Sequence, residues 1–106
     1  MSPQERFATL VEEFADRPGV TPPDPTDRRF GGNGLKVDGK IFAMLVRGDL
    51  VVKLPKRRVD ELIAAGDGGP FDAGKGKPMK EWVALAPAAD WVARANEAFD
   101  FVRPRR

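Results

Sequence analysis

The 106 residues contain no cysteine, no histidine and no tyrosine, and the only serine is Ser2. Without cysteine there is no disulfide and no thiolate metal site, and a reducing cytoplasm is the compartment expected for the chain. The missing histidine and the solitary serine remove Ser-His and Cys-His nucleophile pairs and any histidine-bearing zinc centre. An enzyme made from these residues would have to rely on carboxylates, lysine, arginine or a borrowed cofactor. No motif supplies one, so a non-enzymatic protein with no cofactor and no metal is expected. Long apolar runs are lacking too. The longest, Ile41 to Val46, has six residues, far below the ~20 of a membrane span, and no leader pattern opens the chain.

At 42% apolar residues, the chain suits one domain over residues 1–106 with one modest core. Its net charge of +2 is unevenly placed, since nine basic residues between Arg28 and Arg58 face only Asp38 and Asp49. The remainder is therefore net acidic, even with a basic tail over 103–106. Such a basic region can meet phosphate or an acidic protein, or can simply be solvated strand surface.

The stretch from Phe30 to Leu54 organises the rest. Asp38-Gly39 between Leu35–Val37 and Ile41–Val46 is a strong hairpin signal, because a type I′ turn needs two residues that tolerate positive φ. Ile41–Val46 is apolar on both alternating faces, as a central strand covered on both sides would be. Arg47-Gly48-Asp49 turns the chain into Leu50–Leu54, with Leu50, Val52 and Leu54 on one face and Lys53 on the other. A three-stranded antiparallel meander follows. The glycines before it, Gly31, Gly32 and Gly34, permit close backbone approach.

Around the meander the signals are helical. Ser2-Pro3-Gln4-Glu5 combines a capping box with proline at the first helical position, and Phe7, Leu10, Val11 and Phe14 fall on one face before Pro18-Gly19 stops the helix. Residues 18–29 read as a proline-rich connector. Pro55 opens a second helix carrying Val59, Leu62 and Ile63, with Gly66 as its cap. Lys56, Arg57 and Arg58 crowd its first turn, where the helix dipole disfavours cations.

Residues 66–78 read as a glycine-rich loop. Gly69 to Gly76 nearly matches a P-loop, but Gly76 replaces the required Ser or Thr and no strand precedes it, so nucleotide binding is not expected. Met79–Leu85 suits a fourth strand, with Trp82 and Ala84 on one face and Val83 and Leu85 on the other. Pro87 is expected to start a last helix with Trp91, Ala95, Ala98, Phe99 and Val102 on its apolar face.

The combination of F-G-G-N-G-L (Phe30 to Leu35), V-D-G-K-I-F-A (Val37 to Ala43), L-V-V-K-L-P (Leu50 to Pro55), Gly69-Pro70-Phe71 and G-K-P-M-K-E-W (Gly76 to Trp82) resembles the TfoX N-terminal domain family. The resemblance implies a YjbR-like α+β fold, with an antiparallel sheet of meander plus fourth strand packed by N-terminal, middle and C-terminal helices. It also implies association with regulators of competence and transcription. Longer members carry a second domain of helix-hairpin-helix character, for which these residues leave no room, and the family brings no catalytic residues.

Two functional expectations result. One is a regulatory or protein-interaction module, a homodimer or the partner of another regulator, with Phe42, Trp82 and Trp91 as exposed interface residues. The alternative is DNA binding, with Lys36, Lys40, Lys53, Lys56, Arg57 and Arg58 tracking phosphates. No membrane and no small-molecule substrate enter either.

Overall fold

A computed structural model describes residues 2–24, 34–72, 76 and 78–103 of the chain. The rest of the Phe30 to Gly34 entry, residues 25–29 of the connector, and the lysines at 75 and 77 lie outside the described residues.

Helix α1, Pro3–Phe14, begins on the expected capping box, Ser2 Oγ accepting from the Glu5 amide and the Glu5 carboxylate from the Ser2 amide. Those two bonds hold the Glu5 carboxyl below its ordinary value of 4.5, the backbone bond of Ser2 contributing most. Strand β1, Val20–Thr21, then pairs with β2, Gly34–Val37. β3, Lys40–Val46, and β4, Asp49–Lys53, complete the meander. Helix α2 is Lys56–Ala64, β5 is Gly68–Pro70, β6 is Trp82–Leu85, and helix α3 is Trp91–Val102.

The sheet is antiparallel with the order β1-β2-β3-β4-β6-β5. Six strands stand where four are expected from the sequence. The two additions, β1 in the connector and β5 in the glycine-rich loop, are the outermost and shortest, and both adjoin proline: Pro22 and Pro23 follow β1, and Pro70 ends β5.

Both meander turns have positive φ at their two central residues, 50° and 80° at Asp38-Gly39 and 51° and 84° at Arg47-Gly48. That geometry matches the right-handed twist of the strands. The β2–β3 register shifts between Leu35, opposite Ala43, and Lys36, opposite Ile41, so Phe42 is an inserted residue. This bulge lets Phe42 and Ala43 both join the helix-side core. Gly34 has a packing reason as well. A Cβ there would stand 2.3 Å from Ile41 Cδ1 and 2.9 Å from the Ala43 carbonyl oxygen.

All three helices cover one face. Leu10 and Phe14 of α1, Val59 and Leu62 of α2, and Trp91, Ala95, Ala98 and Phe99 of α3 pack on Leu35, Val37, Leu50, Val52, Leu54, Val83 and Leu85. At its centre the rings of Phe14, Phe42 and Phe99 meet pairwise with centroids 5.3 to 5.7 Å apart. Edge-to-face pairs of this kind add about 0.5–1.5 kcal/mol each beyond area burial. The other face carries a smaller cluster of Met44, Val51, Phe71 and Trp82, flanked by Ile41, Val46, Met79 and Ala84. Phe71 and Met79 close over it, joined by a 2.7 Å bond from the Met79 amide to the Phe71 carbonyl. β3 is thus covered on both sides, as its composition requires.

The last helix starts later than expected. Pro87 lies in a turn, and Asp90 caps α3 by accepting from the Ala93 amide at 3.1 Å. Carboxylates are strong caps, whereas proline provides no side-chain acceptor.

Candidate binding surface

The three residues expected to offer an apolar interface are inside. Phe42 is fully buried, and Trp82 and Trp91 keep 5% and 4% of their surface. Trp91 is fixed in place: its indole Nε1 donates to the Ala86 carbonyl at 3.3 Å, and the Arg6 guanidinium stacks on its ring at 3.8 Å. Arg6 in turn donates to the carbonyls of Pro87 and Ala89. Two clusters, one on each sheet face, absorb the apolar side chains, so the exposure expected from one small core does not arise. Among the described residues Val92, on α3, is the one exposed large hydrophobic, at 43%.

The six candidate cations fall into two groups. On α2, each first-turn cation has a carboxylate on the next turn. Lys56 Nζ is 2.8 Å from Asp60 Oδ2, and Arg57 Nε is a loose 3.8 Å from Glu61 Oε2. Arg58 is held hardest, Nε donating to Glu97 Oε1 at 2.8 Å, Nη2 to Glu97 Oε2 at 3.4 Å and Nη1 to Glu61 Oε1 at 3.3 Å. These bonds, the one to Glu97 foremost, raise the Arg58 pKa above its ordinary value. Arg94 shares Glu97 from the other side, so this carboxylate ties α2 to α3. The cationic first turn is neutralised by its own fold, which offsets its conflict with the helix dipole.

Lys36, Lys40 and Lys53 form no ion pair among the described residues. Antiparallel pairing brings them to one end of the sheet. Lys36 lies opposite Ile41, Lys40 opposite Val37 and Lys53 opposite Trp82. Lys53 Nζ is 5.8 Å from the Trp82 ring centroid, at the outer limit of a cation–π contact. A fourth cation joins them. Exposed Lys80 occupies the turn that leads into β6, two residues before Trp82. Sequence reasoning missed it because only the β4–β6 pairing carries it to Lys53. Asp38 and Glu81 are the carboxylates nearest to this end in sequence, and the Asp38 carboxylate lies beside Gly19.

The opposite end of the sheet holds a shallow cleft of about 150 Å³ where Arg47, Asp49 and Asp72 meet Phe71. A second groove, of about 200 Å³, runs between α1 and the start of α3, with Leu10, Trp91 and Val92 along it. Neither joins a nucleophile to a base. Among the described residues no polar or charged side chain is buried and no group of His, Asp or Glu has metal-binding geometry. No helix of these residues is long and apolar enough to cross a membrane.

No curated protein and no solved structure matches the chain. The TfoX N-terminal domain family matches residues 25–101, a span that holds β2 through nearly all of α3 and includes every lysine of the sheet end. The chain belongs to the TfoX N-terminal domain family.

Proposed function

We propose that this domain is a non-enzymatic regulatory module of transcription or competence control that acts by binding an anionic partner. Family membership supports the regulatory setting. The observation that carries the binding mode is the division of the cations: Lys36, Lys40, Lys53 and Lys80 stand at one sheet end without a carboxylate partner among the described residues, whereas Lys56, Arg57 and Arg58 have theirs. An unpaired cationic end raises the local concentration of anions, and a neutralised one does not.

The test is genetic. Deleting the gene in the source organism should change competence-gene transcript levels, and re-expressing the wild-type chain should restore them. A chain carrying Lys36, Lys53 and Lys80 as glutamine should be produced at normal levels yet fail to restore them. Transcripts indifferent to the deletion would overturn the regulatory assignment.

A protein-interaction reading has one observation in its favour. Val92 is exposed beside the groove between α1 and α3, and an exposed aliphatic at a groove is a feasible anchor for a partner side chain. The burial of Phe42, Trp82 and Trp91 removes the wider apolar interface on which a homodimer was expected to rest.

A further inference from the structure

We infer that the anionic partner is the phosphate backbone of duplex DNA, met without sequence readout by Lys36, Lys40, Lys53 and Lys80. This rests on the anionic-partner reading above and names the partner. The four lysines come from β2, β3, β4 and the turn into β6, which are neighbours in the sheet. Lys36 and Lys53 lie opposite Ile41 and Trp82 on the face away from the helices, and Lys40, opposite Val37, stands on the helix-side face at the end of the β2–β3 hairpin. With strands ~4.8 Å apart, the row from β2 to β6 spans about 14 Å, close to four base-pair rises of ~3.4 Å. It is therefore of a size to face several consecutive phosphates.

Two further observations favour DNA over an acidic protein. Stable protein interfaces are centred on aromatic or aliphatic anchors, and among the described residues this end has no fully exposed one, Ile41 and Met79 being partly buried against the smaller cluster. Trp82 is 5% exposed, and Val92 lies on α3, on the helix side of the sheet. A polyanion needs no such anchor, because release of condensed counterions supplies its affinity. Among the described residues no amide side chain joins the lysines to read a base edge. Gln4 is on α1, and Asn96 of α3 donates to the Val92 carbonyl, so neither amide stands among the lysines. The α2 cations are outside the surface because a phosphate approaching them also meets Asp60, Glu61 and Glu97.

The experiment uses the full chain and two fluorescent duplexes of unrelated sequence, titrated by anisotropy across a salt series. Both duplexes should bind equally well, with affinity falling steeply as salt rises. The variant K36Q/K40Q/K53Q/K80Q should bind at least tenfold more weakly, and its slope of log K against log salt should be shallower by three to four, at about 0.9 per lost phosphate contact. The variant K56Q/R57Q should keep the wild-type affinity and slope. Matching thermal melts of the variants exclude unfolding as the cause.

Equal loss in both variants, or no loss in the fourfold variant, would overturn the assignment. So would wild-type binding to a polyglutamate peptide with none to DNA, and that result would leave the anionic-partner reading standing. Failure of the genetic test with DNA binding intact would do the reverse.

Discussion

Glu97 of α3 accepts two hydrogen bonds from Arg58 of α2, at 2.8 and 3.4 Å, across 39 residues of sequence. Both side chains are about one-third exposed, so water screens the pair only in part. Glu97→Ala leaves Arg58 and Arg94 facing each other without their shared counter-charge. A loss of about 1–2 kcal/mol in urea unfolding is expected. In a double-mutant cycle with Arg58→Ala, a coupling energy near zero would show that the pair does not join the helices.

Gly34→Ala should destabilise the domain by about 1–3 kcal/mol, since the new methyl overlaps Ile41 Cδ1 and crowds the Ala43 carbonyl. Ile41→Val removes Cδ1, the nearer of the two overlapping Ile41 atoms, and should recover part of that loss when combined with it. Denaturant midpoints of the two single variants and the double variant decide the point, and simple additivity would rule out the clash.

Arg47 has φ 51° at the first central position of the β3–β4 turn, a conformation that favours Gly, Asn or Asp over a long side chain. Arg47→Gly should raise stability by about 0.5–1 kcal/mol by relieving that strain, even though glycine loosens the unfolded chain. A lower melting temperature would indicate that Arg47 makes a stabilising interaction in the cleft.

Ser2→Ala removes one bond of the capping box and should cost about 1 kcal/mol of stability. Glu5, whose folded-state pKa is lowered, adds a pH signature. Its contribution is fully present above the unfolded value near 4.5 and disappears as pH falls through the folded value. The stability difference between wild type and Glu5→Gln should therefore be largest near neutrality and shrink on acidification. A difference that stayed constant between pH 7 and pH 3 would contradict the box.

The parts of this fold that could be read in advance are those governed by near neighbours. The Asp38-Gly39 turn, the cap at Ser2, the faces of β4 and β6 and the apolar stripes of α1 and α3 depend on residues a few positions apart. β1 and β5 could not be read, because Gly68-Gly69-Pro70 has no strand preference and becomes a strand only by pairing with β6. The candidate surface divides in the same way. Its excess of charge is plain in the composition. Which cations are neutralised depends on contacts such as Arg58 to Glu97, and the approach of Lys80 to Lys53 depends on strand order. The tryptophans misled for a related reason. An apolar ring is available to a partner only when its own fold leaves it uncovered, and here Phe71, Met79 and Arg6 do the covering.

The prolines beside the two outermost strands have a consequence for how this domain meets other molecules. A strand at the rim of a sheet ordinarily offers a ladder of amide groups to any extended chain. Pro22 and Pro23 have no amide hydrogen to donate where β1 would continue, and Pro70 lacks one within β5. Each rim thus lacks donors that lateral growth would use. Strand addition between crowded copies, or by a peptide as a seventh strand, forgoes those hydrogen bonds and is disfavoured. The charge and exposure of side chains, more than backbone complementarity, should therefore decide what this domain binds.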